Sequence, residues 1–211
     1  MASVTRRPST ANERRGAVER RVVEAVERLL DGGASFTELS VQVIAEEAGI
    51  ARSTFYVHFA DKTQLLITLA QEATADIVAE GERWIGADHL VDIEQLTPSI
   101  ERIIAVYRRN ARLFEAVLAA TGYDPAVAAF WRRHVDVLVV AGADRLRRAQ
   151  LEGHLAADVD IEPLASMVAW TIERTISMYA LDHPESDDPA LAASMARGLW
   201  LMMYGDAPRP G

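Results

Sequence analysis

The chain of 211 residues contains no cysteine. That excludes a disulfide framework and any thiolate metal site, and it is compatible with a reducing cytoplasm, the compartment expected here. No apolar run approaches the roughly 18–20 residues of a membrane-spanning helix, so no membrane partner is expected. The opening MASVTRRPSTANERRG carries charges but lacks the apolar stretch of a secretory signal. Proline and glycine are modest, at 8 and 12 residues, and half of the chain is hydrophobic, so it reads as globular. The five histidines, His58, His89, His134, His154 and His183, fall at no metal-ligand spacing. Neither a metal nor a cofactor is expected. Nothing places an acid, a base and a nucleophile at catalytic spacing, so the chain does not read as an enzyme. Alternating strand patterns and internal repeats are also missing.

Lysine is nearly absent too: Lys62 stands alone among 22 basic residues. The net charge of −9 argues against DNA binding if read globally. Its distribution reverses that. Residues 1–62 hold nine basic and nine acidic side chains, whereas residues 63–211 carry the whole deficit. Local charge matters more than the total for phosphate contact. Arg6, Arg7, Arg14 and Arg15 cluster near the N-terminus. They form either a solvated tail or an arm that adds screened attraction to a DNA backbone.

Residues 44–62, IAEEAGIARSTFYVHFADK, are the most informative stretch. Ile44, Ala45 and Ala48 share one helix face. Gly49 can take positive φ and end that helix. Ile50 fits a turn between two crossing helices. From Arg52 to Phe59 a second helix follows, with Phe55 and Phe59 as its buried stripe. Arg52, Ser53, Thr54, Tyr56, Val57 and His58 are left for the flanks and outer face, a set suited to a DNA groove. Asp61 can cap the next helix, with Lys62 in its first turn.

On these residues the chain resembles the TetR family of one-component bacterial transcription regulators. The likeness runs from Ile44 to Lys62 at nearly every fixed position. One departure is Ala51, where a capping Ser or Thr is commoner, which removes a cap worth roughly 1 kcal/mol. The resemblance implies an all-α fold of nine helices: a three-helix, helix-turn-helix head and a helical body for ligand binding and dimerisation. Domain limits are expected at 1–12 (a disordered arm), 13–61 (the head) and 62–211 (the body). Helices are predicted over 13–30, 41–48, 52–59, 62–85, 98–108, 111–120, 125–152, 162–181 and 189–204, with 86–96 as a loop. Ser40, Asp124, Pro98 and Pro125 are read as helix-start residues.

The resemblance also implies partners: double-stranded operator DNA with inverted repeats, a second copy through the eighth and ninth helices, and a small hydrophobic effector that releases a repressor. Arg52 and Gln42 are expected at base edges, since Arg to guanine is the commonest specific contact. Ser40, Ser53, Thr54, Tyr56, His58 and Lys62 are expected to position the head through phosphates or groove walls. The body is most similar to that of a mycobacterial repressor controlling an ethionamide-activating monooxygenase, at Val127–Trp131, Ile172–Thr175 and Leu199–Gly205. In that protein aromatic side chains line an apolar tunnel. Ile172 and Ala169 stand here where polar side chains stand there.

Trp84, Tyr107, Phe114, Phe130, Trp131, Trp170 and Trp200 are therefore candidate pocket residues. Met167 would add an adaptable wall, and Tyr107 and Thr171 polar handles. The plain alternative is that these aromatics are core. Glu173 and Arg174 read as structural, and His134 as a face residue. Two competing functions remain open: a helical carrier of lipids or small molecules, which leaves residues 44–62 unexplained, and a TetR-like activator.

Overall fold

The computed structural model describes residues 10–85 and 93–205. Among the described residues the chain forms nine α-helices and no strand. They are α1 (Thr10–Asp31), α2 (Val41–Glu47), α3 (Arg52–His58), α4 (Lys62–Ile85), α5 (Ile93–Arg109), α6 (Ala111–Thr121), α7 (Pro125–Leu151), α8 (Ile161–Asp182) and α9 (Asp188–Tyr204). A 3-10 turn, Glu185–Asp187, precedes α9. No described helix is long and apolar enough to cross a membrane. Contacts between Cα atoms divide the chain into two units, residues 1–69 and 70–211, so the first turns of α4 belong with the head.

In the head, α1, α2 and α3 pack on one another. Val22, Ala25, Val26 and Leu30 of α1 are buried, as the periodicity requires. Helix α1 begins at Thr10 rather than at residue 13, so residues 10–12 are helical and not part of an arm. Arg6 and Arg7 lie outside the described residues. Ser40 is extended and its Oγ accepts from the Val43 N–H at 3.2 Å, a side-chain cap for α2. Gly49 has φ +63°, and the Ile50 N–H donates back to the Ala45 carbonyl at 2.9 Å. This six-to-one bond needs a left-handed residue, and only glycine adopts that conformation without steric cost. Ala51 leaves α3 without a side-chain cap, and Phe55 and Phe59 are buried with ring centroids 5.4 Å apart. Asp61 Oδ1 accepts from the Gln64 N–H at 2.8 Å, and Gln64 Oε1 from the Ala60 N–H at 2.6 Å, a reciprocal cap on α4.

In the body, α7 packs along α8, and α5 along α9. Helix α5 corrects one expectation. It begins at Ile93, so Pro98 lies inside it rather than at its start. Proline there cannot donate to the carbonyl one turn back, which costs up to about 3 kcal/mol in a helix interior. The amphipathic run through Leu96, Ile100, Ile104 and Tyr107, all buried, outweighs it. Asp124 Oδ1 accepts from the Ala126 and Val127 N–H groups with Pro125 in the first turn, as expected. Arg108 ties three segments at one corner. Its guanidinium donates to the Ala180 and His183 carbonyls at 2.6 and 2.8 Å and forks onto Asp188 at 2.6 and 3.1 Å.

His134 is also corrected. It is 8% exposed and packs on Trp131 at 5.3 Å between ring centroids, rather than facing solvent. Burial pushes its pKa down to about 4, so it is neutral near pH 7. Glu173 is buried too. Its Oε1 accepts from the Trp131 indole N–H at 3.2 Å, while burial pushes its carboxyl above the usual range. Among the described residues no group of histidines and carboxylates could hold a metal ion.

Candidate functional site

Helix α3 presents a sharply divided surface. Arg52, Ser53, Tyr56 and Val57 are exposed, Thr54 is half-buried and Phe55 is fully buried. On a helical wheel the four exposed residues form one continuous arc, as two pairs spaced i, i+4. Within it the Arg52 guanidinium lies 5.8 Å from the Tyr56 ring centre, with Nη2 3.5 Å from the phenol oxygen, a long and weak contact. Val57 is 72% exposed, in keeping with its place on the outer face, where the sequence alone gives it no contact of its own. On α2, Gln42 is exposed and its Nε2 donates to Glu46 Oε1 at 2.5 Å.

Two residues assigned to phosphates have inward partners instead. The His58 side chain is 8% exposed, with Nδ1 3.3 Å from Glu19 Oε1 of α1. Glu19 also pairs with Arg15 at 3.1 Å. Lys62 donates through Nζ to the carbonyls of Phe36, Thr37 and Leu39 at 2.7, 3.1 and 2.6 Å, and sits 4.9 Å from the Phe36 ring centre. An ammonium has three donors, and all three point at the link between α1 and α2. Burial lowers the Lys62 pKa without supplying an anionic partner. Ser40 is engaged as the α2 cap. Gln42, Arg52, Ser53 and Tyr56 are thus exposed, whereas the His58 and Lys62 side chains have their partners within the head.

The body contains a cavity of about 80 Å³. Aliphatic side chains from α4, α5, α7, α8 and α9 form its walls, among them Ile77, Ile100, Leu138, Val168, Ile172 and Met203. Small residues on facing helices leave the space: Gly81, Gly142, Ala165 and Ala169. A Cβ added at Gly142 would meet nothing within 4 Å, whereas one at Gly81 would come within 3.1 Å of Leu138. The polar side chains of the lining are Glu80 and Ser99. Glu80 is 3% exposed, and its hydrogen bond from Arg102 holds its carboxyl below the ordinary carboxylate range.

A model of the bacterial regulatory proteins of the tetR family matches residues 33–69, which cover α2, α3 and the start of α4. An HTH-type transcriptional regulator of Haemophilus influenzae, itself uncharacterized, is 41% identical over 190 residues, 88% of each chain. The chain belongs to the TetR family. Solved structures agree on the fold of such a transcription regulator. FadR from Bacillus subtilis, in complex with stearoyl-CoA, has a TM-score of 0.69 at 18% identity, covering 88% of this chain and 98% of that one. The fatty acid degradation regulator FadR from Bacillus halodurans has a TM-score of 0.69 at 17% identity, covering 91% and 97%.

Within this TetR-family body the candidate pocket aromatics are scattered. Tyr107, Phe114 and Trp131 are buried on one another, with centroids 4.5 and 5.9 Å apart. Phe130 borders an open groove with Gln71, Thr74 and His134. Met167, Trp170 and Thr171 lie with Arg174 and Met178 along one partly or fully exposed stripe of α8. Trp200 is half-buried, 5.9 Å from Tyr204. The Trp84 side chain lies outside the described residues. None of the candidates just located lines the 80 Å³ cavity, but Ile172 and Ala169 do.

Proposed function

We propose that this regulator is a cytoplasmic repressor that binds an inverted-repeat operator as a dimer and is released by a small hydrophobic effector. The observation that carries the DNA half is the exposed arc of α3. It combines a guanidinium, a hydroxyl, a phenol and a bare aliphatic side chain on a helix whose opposite face is anchored by Phe55 and His58. Arg52 and Gln42 read base edges, and Val57 meets thymine methyl groups. Ser53, Thr54 and Tyr56 position the helix through phosphates and groove walls, while Ser40, His58 and Lys62 act mainly by fixing the elements that present them. Duplexes selected from a randomised library test this reading. Arg52→Ala should relax the selected sequence, and Tyr56→Phe should weaken all sites alike. No enrichment of any sequence by the intact chain would refute operator binding.

Dimerisation through α8 and α9 is supported by the surface they leave open. Met167 and Met178 of α8 are 57% and 48% exposed, and Leu201 of α9 is 47% exposed. Val168, Ile176 and Leu199, on the other faces of the same two helices, are buried within the chain. A two-fold interface on the exposed stripe would set two α3 helices on successive major grooves, about 34–36 Å apart. Met178→Arg with Leu201→Arg should give a monomer in sedimentation and abolish tight operator binding. A double variant that stays dimeric places the interface elsewhere.

Effector release is supported by the cavity. Its walls draw on α4, whose first turn carries Lys62, and an effector acts only by favouring one of two states. Ile172 and Ala169 on its wall fit the likeness to the mycobacterial repressor with polar handles removed. Bacillus subtilis FadR, which shares this fold, is solved in complex with stearoyl-CoA; a cavity of 80 Å³ would have to open to hold an acyl chain of that length. Apolar compounds that bind the body but leave operator affinity unaltered would refute the switch.

A further inference from the structure

The cavity has one feature at odds with a purely apolar ligand: a buried carboxylate in its wall. Glu80 stands on α4 among aliphatic side chains. Its Oε1 accepts from Arg102 Nη2 at 2.5 Å. Its Oε2 lies 2.8 Å from Arg83 Nη2, yet the pair is not aligned as a hydrogen bond, and this oxygen is shielded from solvent without a hydrogen-bond donor. An ionised carboxylate offers about four acceptor sites. Arg102 also donates to Ser99 Oγ at 3.1 Å, and the Ser99 hydroxyl hydrogen-bonds to the carboxylate. With Arg102 and Ser99 as its donors, the carboxylate still has acceptor sites to spare in a cavity whose other walls are hydrocarbon. An acceptor left empty after water is expelled costs free energy, so a ligand without a donor is penalised here.

We infer that this cavity takes an apolar ligand bearing one neutral hydrogen-bond donor, a hydroxyl or an amide N–H, seated on Glu80, and that it discriminates against carboxylates. The charge of the donor follows from the surroundings. Arg83 and Arg102 already pair with Glu80, so a cationic ligand would bring an uncompensated charge into a cavity otherwise walled by hydrocarbon. A ligand carboxylate would do the same, and it has no donor to offer Glu80. A neutral donor meets neither penalty. The inference deepens the effector reading by naming the chemistry of the ligand, and it contrasts with a site for free fatty acids.

Three compounds with a common phenylalkyl body test it on the full chain by calorimetric titration: 3-phenylpropanol, propylbenzene and 3-phenylpropionate. The alcohol should bind about tenfold or more tightly than propylbenzene, from a hydrogen bond to a charged acceptor, and the propionate should bind weakest. Gly142→Phe fills the space that a Cβ there would enter and should abolish binding of the alcohol. Should that variant not fold, Gly142→Leu occupies the same space with a smaller side chain. Glu80→Gln keeps an acceptor but removes the charge, and should narrow the lead of the alcohol. Equal affinity for alcohol and hydrocarbon, tightest binding of the propionate, or alcohol binding untouched by the Gly142 variants would each overturn the inference. Alcohol binding with the expected order but no change in operator affinity would refute the effector reading and leave this inference standing.

Discussion

Replacing Lys62 by methionine keeps the length and hydrocarbon of the side chain and removes the ammonium. In the structure that ammonium is the donor for three carbonyls, those of Phe36, Thr37 and Leu39, and lies against the Phe36 ring. A hydrogen bond to a charged group contributes about 1.5–3 kcal/mol, and three on one nitrogen add less than threefold. The contact with Phe36 adds about 0.5–1 kcal/mol at a half-exposed site. Lys62→Met should therefore destabilise the head by about 2–4 kcal/mol. Tryptophan fluorescence is a poor monitor, because Trp84, Trp131, Trp170 and Trp200 all lie outside residues 1–69. Urea unfolding should be followed by far-ultraviolet circular dichroism, together with hydrogen exchange of the amides around residues 36–39. Operator affinity should fall, but its salt dependence should keep the slope of the parent chain, because no phosphate contact is lost. A phosphate contact would behave in the opposite way: unchanged stability, and a slope of log K against log salt shallower by about 0.9. That outcome would refute the stapling role of Lys62.

Gly142→Ala should stabilise the body by about 1–2 kcal/mol, from helix propensity and a methyl placed in open space, seen as a higher thermal midpoint. His134 is neutral when folded, with a pKa of about 4 against about 6.5 unfolded, so its contribution is full above pH 6.5 and is lost as pH falls towards 4. The loss is about 3 kcal/mol, and a His134→Phe chain should lack that acid limb in denaturant titrations at stepped pH. Glu173 acts in the other direction: its raised pKa means stability present at low pH and lost as pH rises through the folded value, so Glu173→Gln should flatten a decline above pH 4.5. Asp124→Ala should cost about 1 kcal/mol through loss of the α7 cap, measured by urea unfolding.

Local signals in the sequence were sufficient for the head and for most helix boundaries. Ser40, Gly49, Asp61 and Asp124 act through neighbours two to five residues away, so their chemistry is written in adjacent letters. Lys62 and His58 depend on partners 23–26 and 39 residues away, and nothing in their own spacing announces those partners. Pro98 looks like a start signal because proline favours first turns, but tertiary burial of the α5 stripe carries the helix further back. The cavity was the hardest to read. It exists where Gly142, Ala165 and Ala169 fail to fill the space between helices that meet only in the fold. Large aromatics attract attention in a sequence, yet Tyr107, Phe114 and Trp131 fill volume rather than enclose it.

The Arg108 corner has a consequence for how assembly could be measured. One guanidinium joins the end of α5 to the exit of α8 and the entry of α9. Helix α5 also supplies Ser99, Ile100 and Ile103 to the cavity. A ligand that displaces α5 would thus strain the same corner that bonds to the end of α8 and the start of α9. If those two helices form the subunit contact, the monomer–dimer equilibrium becomes a readout of cavity occupancy. Thermodynamic reciprocity then requires that apparent ligand affinity change with protein concentration, even with no DNA in the tube.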